Sequence, residues 1–253
     1  MWMLLHGFTG APQSWDAVLQ HANLDATPLR PELTGHGESW RARSAESFDE
    51  EVGRLAVLAA TLERPRCIAG YSLGARVALG LLGAHPELVD AALLIGVHPG
   101  LEEERERIER RELDARRARA LRSAGLEAFI SEWEALPMFE SQRELPDSVA
   151  KRQRELRRSH DAEGLAASLD VLGLGAMPYF GRNLSQSGRS ITLMAGARDA
   201  KFASIAAALA SRHDPVDAVV VDGAGHNLLL EAPARVATEL RRAEARARMW
   251  SEQ

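Results

Sequence analysis

The sequence has little of what marks secreted, membrane-embedded or disulfide-rich proteins. It contains one cysteine among 253 residues, Cys67, so no disulfide can form within the chain, and we expect a reducing, cytoplasmic location. No apolar run approaches the ~20 residues that a membrane-spanning helix requires. The first residues, MWMLLHGFTG, lack the basic and long apolar regions of a signal peptide, and they predict a strand that leads into a loop.

An excess of basic charge is also missing, as are metal-binding and phosphate-binding patterns. The formal net charge is −5, whereas nucleic acids and anionic membranes are bound by basic surfaces. No group of histidines and cysteines has the spacing of a zinc site, and no glycine-rich phosphate loop is present. We therefore expect no nucleic-acid partner, no membrane insertion, no metal and no cofactor. The sequence indicates no particular protein partner.

Short apolar runs alternate with longer helical patterns along most of the chain. This alternation predicts an α/β fold with a mostly parallel sheet and helices on both of its faces. The strand candidates are Met1–Leu5, Ala26–Leu29, Arg66–Ala69, Ala91–Gly96, Ser190–Ala195 and Ala218–Val221. The helix candidates are Phe48–Leu62, Leu73–Ala84, Ile205–Ser211 and Pro233–Arg246.

One segment departs from this alternation. Nearly half of residues 101–164 are charged, against 26% of the whole chain, and the charges follow helical patterns that Gly125 and Pro137 interrupt. We interpret the segment as part of a helical cap, residues 98–187, inserted into a core of residues 1–97 and 188–253. Most of its charges are expected on a solvated face with i,i+4 pairs, and the remainder could face inward.

A Gly-x-Ser-x-Gly motif, GYSLG, runs from Gly70 to Gly74. It follows a strand candidate and opens a helical pattern, which is the context of a sharp turn that presents Ser72 as a catalytic group. Glycines on either side allow the backbone to pack closely at such a turn. Arg76 stands four residues after the serine and therefore on the same face of the helix. A hydrolase of neutral esters would have no use for a cation there.

Asp199 and His226 follow two later strand candidates, in the order Ser, acid, His of α/β-hydrolases. The histidine could take the serine proton with Nε2 while the aspartate holds Nδ1–H. Taken singly, Asp199 could instead cap a helix and His226 could be an ordinary loop residue. Asp222 is a competing acid, although it lies in the turn that leads to the histidine. Together with the serine turn, the pattern favours a Ser72–His226–Asp199 triad.

The segment LLHGFTG completes this set. A strand that ends in His-Gly allows the backbone N–H of Phe8 to join that of Leu73 as an oxyanion hole. We interpret His6 as a structural loop residue. The prediction is therefore an α/β-hydrolase fold with a helical cap. Because the sequence starts at the His-Gly strand, the leading strands of the usual fold are expected to be missing.

Over nearly its whole length the sequence resembles the 2-succinyl-6-hydroxy-2,4-cyclohexadiene-1-carboxylate synthase family, lyases of menaquinone biosynthesis. The matching pieces are LHGFTG, GYSLGARVAL, HPGL before an arginine-rich helix, EWEALPMF, RRSHDAEGLAASLDVLGLG, AGARDAKF and GAGHN. Several of them are shared with any α/β-hydrolase. Arg76, HPGL, LPMF and RDAKF distinguish this family from the others.

The resemblance implies an elimination rather than a hydrolysis. In this family the triad serine acts as a base and removes a proton α to a succinyl ketone, after which pyruvate leaves with formation of a diene. The substrate, 2-succinyl-5-enolpyruvyl-6-hydroxy-3-cyclohexene-1-carboxylate, is a small molecule with three carboxylates. Neither a metal nor water takes part as a reactant.

The resemblance also implies which residues bind this polycarboxylate. The family's substrate-binding positions carry over to Arg76, Arg110, Arg157, Tyr71 and Trp133. The three arginines would bind carboxylates, and the aromatic residues would line the pocket. In KRQRELRRS, Arg154 and Arg158 are alternatives to Arg157 because the local alignment is uncertain by a residue or more.

Two other functions stay open. A serine esterase or C–C hydrolase for a carboxylated substrate would use Ser72 as a nucleophile, and only the arginines and the RDAKF segment argue against it. A non-catalytic ligand-binding protein could keep the same fold. The triad and the oxyanion loop argue against that second alternative.

Overall fold

Five parallel strands form one sheet in the computed structural model, which describes residues 1–38, 40–182, 184 and 189–251. They lie side by side in chain order, and each pairs with the next. The strands are β1 (Trp2–Leu5), β2 (Cys67–Tyr71), β3 (Ala91–Ile95), β4 (Ser190–Gly196) and β5 (Val216–Val221). Five of the six predicted strands are therefore confirmed, with bounds that shift by at most two residues.

The sixth predicted strand, Ala26–Leu29, is wrong. Only Leu29 pairs with β1 within this segment, in an isolated bridge. Its N–H donates to the carbonyl of Trp2, and its carbonyl accepts from Leu4, both at 2.9 Å. The next donor of a parallel ladder would be Pro31, which has no N–H. The pairing therefore does not continue beyond Leu29.

Helices surround the sheet and fill the insertion between β3 and β4. In the described chain they are α1 (Asp16–Ala22), α2 (Phe48–Ala60), α3 (Leu73–Ala84), α4 (Glu104–Glu134), α5 (Asp147–Arg158), α6 (Ala162–Leu172), α7 (Ala200–Ala210), α8 (Leu228–Glu231) and α9 (Pro233–Ser251). Among the described residues, no helix combines the length and the apolar character that crossing a membrane demands.

Both faces of the sheet are covered because side chains alternate along each strand. In β1, Met3 and Leu5 pack with α2 and α3, whereas Trp2 and Leu4 pack with α1 and α9. Every residue of β1, β2 and β3 is buried, as expected for strands between two helical layers. The predicted parallel sheet with helices on both faces is confirmed.

The charged insertion folds as helices α4 to α6 over the core. Gly125 interrupts α4 with φ 83° and ψ 174°, and Pro137 starts a 3₁₀ turn, so both predicted interruptions are confirmed. Some charges form i,i+4 pairs as expected, but others tie the cap helices together, as Arg122 does with Glu163 at 2.8 Å. The predicted boundary between residues 187 and 188 lies outside the described residues.

We predict that Gly74→Ala destabilises the fold. A Cβ at Gly74 would lie 2.5 Å from the carbonyl oxygen of His6 and would also overlap that of Leu5, so the end of β1 and the start of α3 would have to separate. Overpacking of this kind costs about 1–3 kcal/mol. Chemical unfolding should show a lower free energy of unfolding for the variant.

Gly53→Ala is the matched control. Gly53 lies inside α2, and a Cβ there would meet nothing within 4 Å. Alanine favours a helix interior over glycine by about 0.5–1 kcal/mol, so this variant should be slightly more stable than the wild type. Equal stability of the Gly74→Ala variant and the wild type would contradict the close packing described above.

Candidate active site

Ser72 occupies a strained turn between β2 and α3. Its φ of 52° and ψ of −104° lie in a region that residues other than glycine rarely adopt. Its N–H donates to the carbonyl of Ile95 on the neighbouring strand at 2.8 Å, which anchors the turn to the sheet. A Cβ at Gly70 would collide with the carbonyl of Gly74. The two glycines of the motif are therefore required by backbone contact.

The structure joins Ser72, His226 and Asp199 by hydrogen bonds. The Nε2 atom of the histidine lies 3.0 Å from the serine Oγ, and its Nδ1 lies 2.6 Å from an oxygen of Asp199. The histidine and the aspartate are only 2% and 8% exposed. Gly96 leaves room for the ring, because a Cβ there would lie 2.8 Å from it. The arrangement gives the serine hydroxyl a base with a fixed orientation.

The alternative assignments of the acid are not supported by the geometry. Asp199 precedes α7, yet its side chain makes no capping hydrogen bond to that helix. Asp222 is exposed in the turn after β5. The carboxylate that contacts the histidine is therefore that of Asp199.

The two residues whose backbone N–H groups were predicted to form an oxyanion hole lie at the same cavity. Phe8 and Leu73 both line the cavity that Ser72 lines. Leu73 begins α3, so its N–H has no acceptor within the helix. Among the hydrogen bonds between described residues, neither N–H is a donor. Both remain available to an oxygen of a bound molecule.

The loop that carries Phe8 is held by two buried, neutral histidines. His6 accepts a hydrogen bond from Leu33 N–H at 3.2 Å, and His36 accepts one from Thr9 N–H at 3.2 Å. Their other ring nitrogens, the Nδ1 atoms, lie next to backbone carbonyls. An imidazole that accepts at one nitrogen and donates at the other is uncharged. The structural role expected for His6 is therefore confirmed.

The cavity at Ser72 has a volume of about 500 Å³ and carries an excess of positive charge. Its described lining contains one carboxylate, that of Asp199. The basic residues in the lining are Arg76, Arg110, Arg117, Arg198 and Lys201. Tyr71 and Trp133 line the same cavity. The structure thus brings together with Ser72 four of the five substrate-binding residues that the sequence suggested.

Arg76 points from α3 toward the cap. One Nη donates to the carbonyl of Leu172, at the end of α6, at 2.8 Å. Burial and the nearby charge of Arg110 lower the pKa of Arg76 from 12.5 to about 10, and Asp114 partly opposes this. The guanidinium therefore stays charged near neutral pH, in a position where an anion would replace its lost hydration.

Arg157 lies apart from this cavity. It is 4% exposed, donates to Glu134 at 2.8 Å, and has its guanidinium 5.5 Å from the ring of Phe139. It lines a neighbouring cavity of about 530 Å³, and Phe139 lines both cavities. The alternatives are also paired, Arg154 with Glu134 and Arg158 with Glu127. The structure therefore brings none of the three arginines into the lining of the Ser72 cavity.

Four lining residues that can carry charge were not predicted from the sequence as site residues, namely Arg117, Arg198, Lys201 and His98. Arg117 stands seven residues after Arg110, two helical turns further along α4, and this spacing would have placed both on one face. Lys201 and His98 belong to RDAKF and HPGL, which were noted only as family segments. Burial, with help from the charges of Lys201 and Arg76, lowers the pKa of His98 to about 4.

In the described part of the chain, no group of three or more His, Cys, Asp or Glu side chains could hold a metal ion.

We predict that the buried histidines make stability depend on pH. Burial lowers the pKa of His6 from 6.5 to about 3 and that of His36 well below 6.5. Below about pH 6.5 the unfolded chain therefore binds protons that the folded protein does not bind. The free energy of unfolding should fall as the pH drops from about 6.5 to 4, by up to ~1.4 kcal/mol per pH unit and histidine. Urea unfolding across this range measures the slope.

His36→Gln should reduce this slope, because glutamine can occupy the site but takes up no proton. His21→Gln serves as the control, since His21 is exposed on α1. A slope in the His36→Gln variant equal to that of the wild type would show that the neutral histidine does not cause the pH dependence.

Comparisons with known proteins show the family of the chain. Residues 3–239 match the model of the alpha/beta hydrolase family. The chain is 33% identical over 241 residues to 2-succinyl-6-hydroxy-2,4-cyclohexadiene-1-carboxylate synthase of Escherichia coli O1:K1, covering 94% of this chain and 92% of that protein. It is 34% identical over 241 residues, with the same coverage, to the synthase of Escherichia fergusonii.

A solved structure is similar over almost the whole chain. The structure of MenH from S. aureus superposes with a TM-score of 0.90 and 27% identity, covering 98% of this chain and 94% of that one. The chain therefore belongs to the α/β-hydrolase family and, within it, to the 2-succinyl-6-hydroxy-2,4-cyclohexadiene-1-carboxylate synthases.

Proposed function

We propose that the protein is a lyase that eliminates pyruvate from 2-succinyl-5-enolpyruvyl-6-hydroxy-3-cyclohexene-1-carboxylate. The product is 2-succinyl-6-hydroxy-2,4-cyclohexadiene-1-carboxylate. One observation carries the proposal: the Ser72 hydroxyl, hydrogen-bonded to His226, opens into a cavity whose described lining has five basic side chains and one carboxylate. A substrate with three carboxylates fits this charge, and a neutral ester does not.

The first step is the removal of the ring proton next to the succinyl ketone. A serine hydroxyl is a poor base unless a second base takes its proton, and His226 is placed to do so. Asp199 holds the opposite ring nitrogen and stabilises the imidazolium that forms. Negative charge then develops on the ketone oxygen, where the N–H groups of Phe8 and Leu73 would stabilise it.

The second step expels the leaving group. The electron pair of the enolate moves through the ring double bond and breaks the bond from ring carbon to enolpyruvyl oxygen, which gives the 2,4-diene. The released enolpyruvate takes up a proton on carbon and becomes pyruvate. Proton removal and leaving-group expulsion both occur on the substrate, so the protein supplies only a base, hydrogen-bond donors and positioning.

The arginines and the aromatic side chains of the cavity position the substrate. Arg76 and Arg110 are the candidates for two of the three carboxylates, and each two-pronged contact contributes about 1.5–3 kcal/mol. Tyr71 and Trp133 close the sides of the cavity. Burial raises the pKa of Tyr71, so the phenol stays neutral.

The proposed reaction can be measured directly. The purified protein should release pyruvate from the enolpyruvyl cyclohexene substrate and produce the absorbance of the diene. Ser72→Ala should lower kcat about 10³-fold or more, because the base is lost while binding is kept. If the wild type leaves this substrate unchanged but hydrolyses simple aryl esters rapidly, the proposal fails in favour of an esterase.

Carboxylate binding by Arg76 can be tested by substitution. Arg76→Ala should lower kcat/KM by one or more orders of magnitude, about 1.4 kcal/mol for each. Arg105→Ala is the matched control, because Arg105 is an 88% exposed side chain on α4 outside the described lining of the cavity. Unchanged kinetics of the Arg76→Ala variant would contradict the proposal that the charge of Arg76 binds a substrate carboxylate.

A further inference from the structure

Asp114 is a buried carboxylate directly behind the basic residues of the cavity. Its side chain on α4 is 4% exposed, and it does not belong to the described lining, whereas Arg76, Arg110 and Arg117 do. A buried carboxylate is costly unless it is paired. Its ion-pair partners in the described structure are two of these lining residues, Arg110 and Arg117.

The contact with Arg110 is the closer one and uses a single edge of the guanidinium. The Nε atom of Arg110 lies 2.9 and 3.0 Å from the two oxygens of Asp114. The Nη1 atom of Arg117 is 3.6 Å away, which is too far for a hydrogen bond. Gly173 provides the space for the carboxylate, since a Cβ there would lie 2.6 Å from it.

This geometry leaves the outer edge of Arg110 available. The hydrogen bonds that Arg110 makes within the described part of the chain run through Nε, and its terminal Nη atoms donate none to these residues. The guanidinium is a rigid, planar fork of five donors. The contact between the Nε–H and Asp114 therefore also fixes the direction of the four Nη–H donors. Arg110, which carries them, lines the Ser72 cavity.

Asp114 also offsets repulsion between like charges. The charge of Arg110 acts with burial to lower the pKa of both Arg76 and Arg117, and Asp114 opposes this effect on both. One carboxylate among three guanidiniums leaves the group with a net positive charge. The cavity can therefore keep its cations close together and still attract an anion.

We propose that Asp114 is a positioning residue for substrate binding, which holds Arg110 by Nε so that its Nη edge receives a substrate carboxylate. The inference rests on the proposed function for the identity of the substrate. The simpler explanation is an ordinary i,i+4 ion pair that only supports the helix. The pair Arg105–Glu109 has the same spacing on the same helix and is exposed, so it provides the matched comparison.

The test compares Asp114→Asn with Glu109→Gln in the full-length protein. Asp114→Asn should raise KM for the tricarboxylate substrate about tenfold or more while kcat changes less than about threefold, because binding in the ground state is weakened. Labelling of Ser72 by an uncharged fluorophosphonate should proceed at the wild-type rate, because this reagent has no carboxylate that Arg110 would have to bind. Glu109→Gln should leave all three quantities within about twofold.

A double variant shows whether Asp114 acts through Arg110. Arg110→Lys keeps the charge but removes the Nε–H that Asp114 holds and the planar fork whose direction this contact fixes. If the proposal holds, Asp114→Asn combined with Arg110→Lys has the KM of Arg110→Lys alone. Should Asp114→Asn fail to fold, Asp114→Glu, which moves the carboxylate by one methylene, carries the same comparison.

The outcomes separate this inference from the proposed function. A KM within twofold of the wild type, or a loss of Ser72 labelling parallel to the rise in KM, overturns the positioning role. If the wild type releases no pyruvate, the proposed function fails. The role of Asp114 is then judged by how a stable aromatic analogue, with the ring carboxylate and succinyl group of the product, protects Ser72 from labelling. A tenfold higher protecting concentration in Asp114→Asn supports the inference, and equal protection overturns it.

Discussion

The close approach of two backbone segments beneath Ser72 is the constraint on which the site depends. Gly74 at the start of α3 touches the carbonyls of Leu5 and His6 at the end of β1, and no side chain fits between them. This contact brings the strand end that leads to Phe8 next to the helix start that carries Leu73. The price is the φ of 52° at Ser72, a strain of about 1–3 kcal/mol that the adjoining strand and helix offset.

The core and the cap contribute different parts of the cavity. The core supplies the relay of Ser72, His226 and Asp199 from the carboxyl ends of its strands, where loops of a parallel sheet meet. The cap supplies Arg110, Trp133 and Phe139 from α4 and the turn after it, and the core supplies the other aromatic lining residues, Phe8, Tyr71 and Phe202. The two parts are connected by polar contacts as well as by packing, as the hydrogen bond from Arg76 to the end of α6 shows.

Charge is distributed unevenly within the chain. The protein as a whole has a formal charge of −5, yet the described lining at Ser72 is dominated by cations. Many cap arginines are neutralised by neighbouring glutamates, as Arg157 is by Glu134. Among the lining cations, Arg110 and Arg117 share Asp114 and Arg198 pairs with Glu144, whereas Asp199 contacts His226. The lining at Ser72 is therefore positively charged although the protein as a whole is acidic, and such a surface favours an anion.

The sequence by itself determined the parts that depend on local chemistry and chain order: the GYSLG turn, the acid and the histidine after later strands, the parallel sheet and the helical insertion. The strand predicted at Ala26–Leu29 was wrong, because only Leu29 pairs with β1 and Pro31 lacks the N–H that would continue the ladder beyond it. Nor did the sequence show that Arg117 lines the cavity and that Arg157 does not. Those positions depend on how α4, α5 and Phe139 pack over the core, and helical patterns of charge look alike whether they face a glutamate, water or a substrate. Only the tertiary structure decided which guanidiniums keep a free edge beside Ser72.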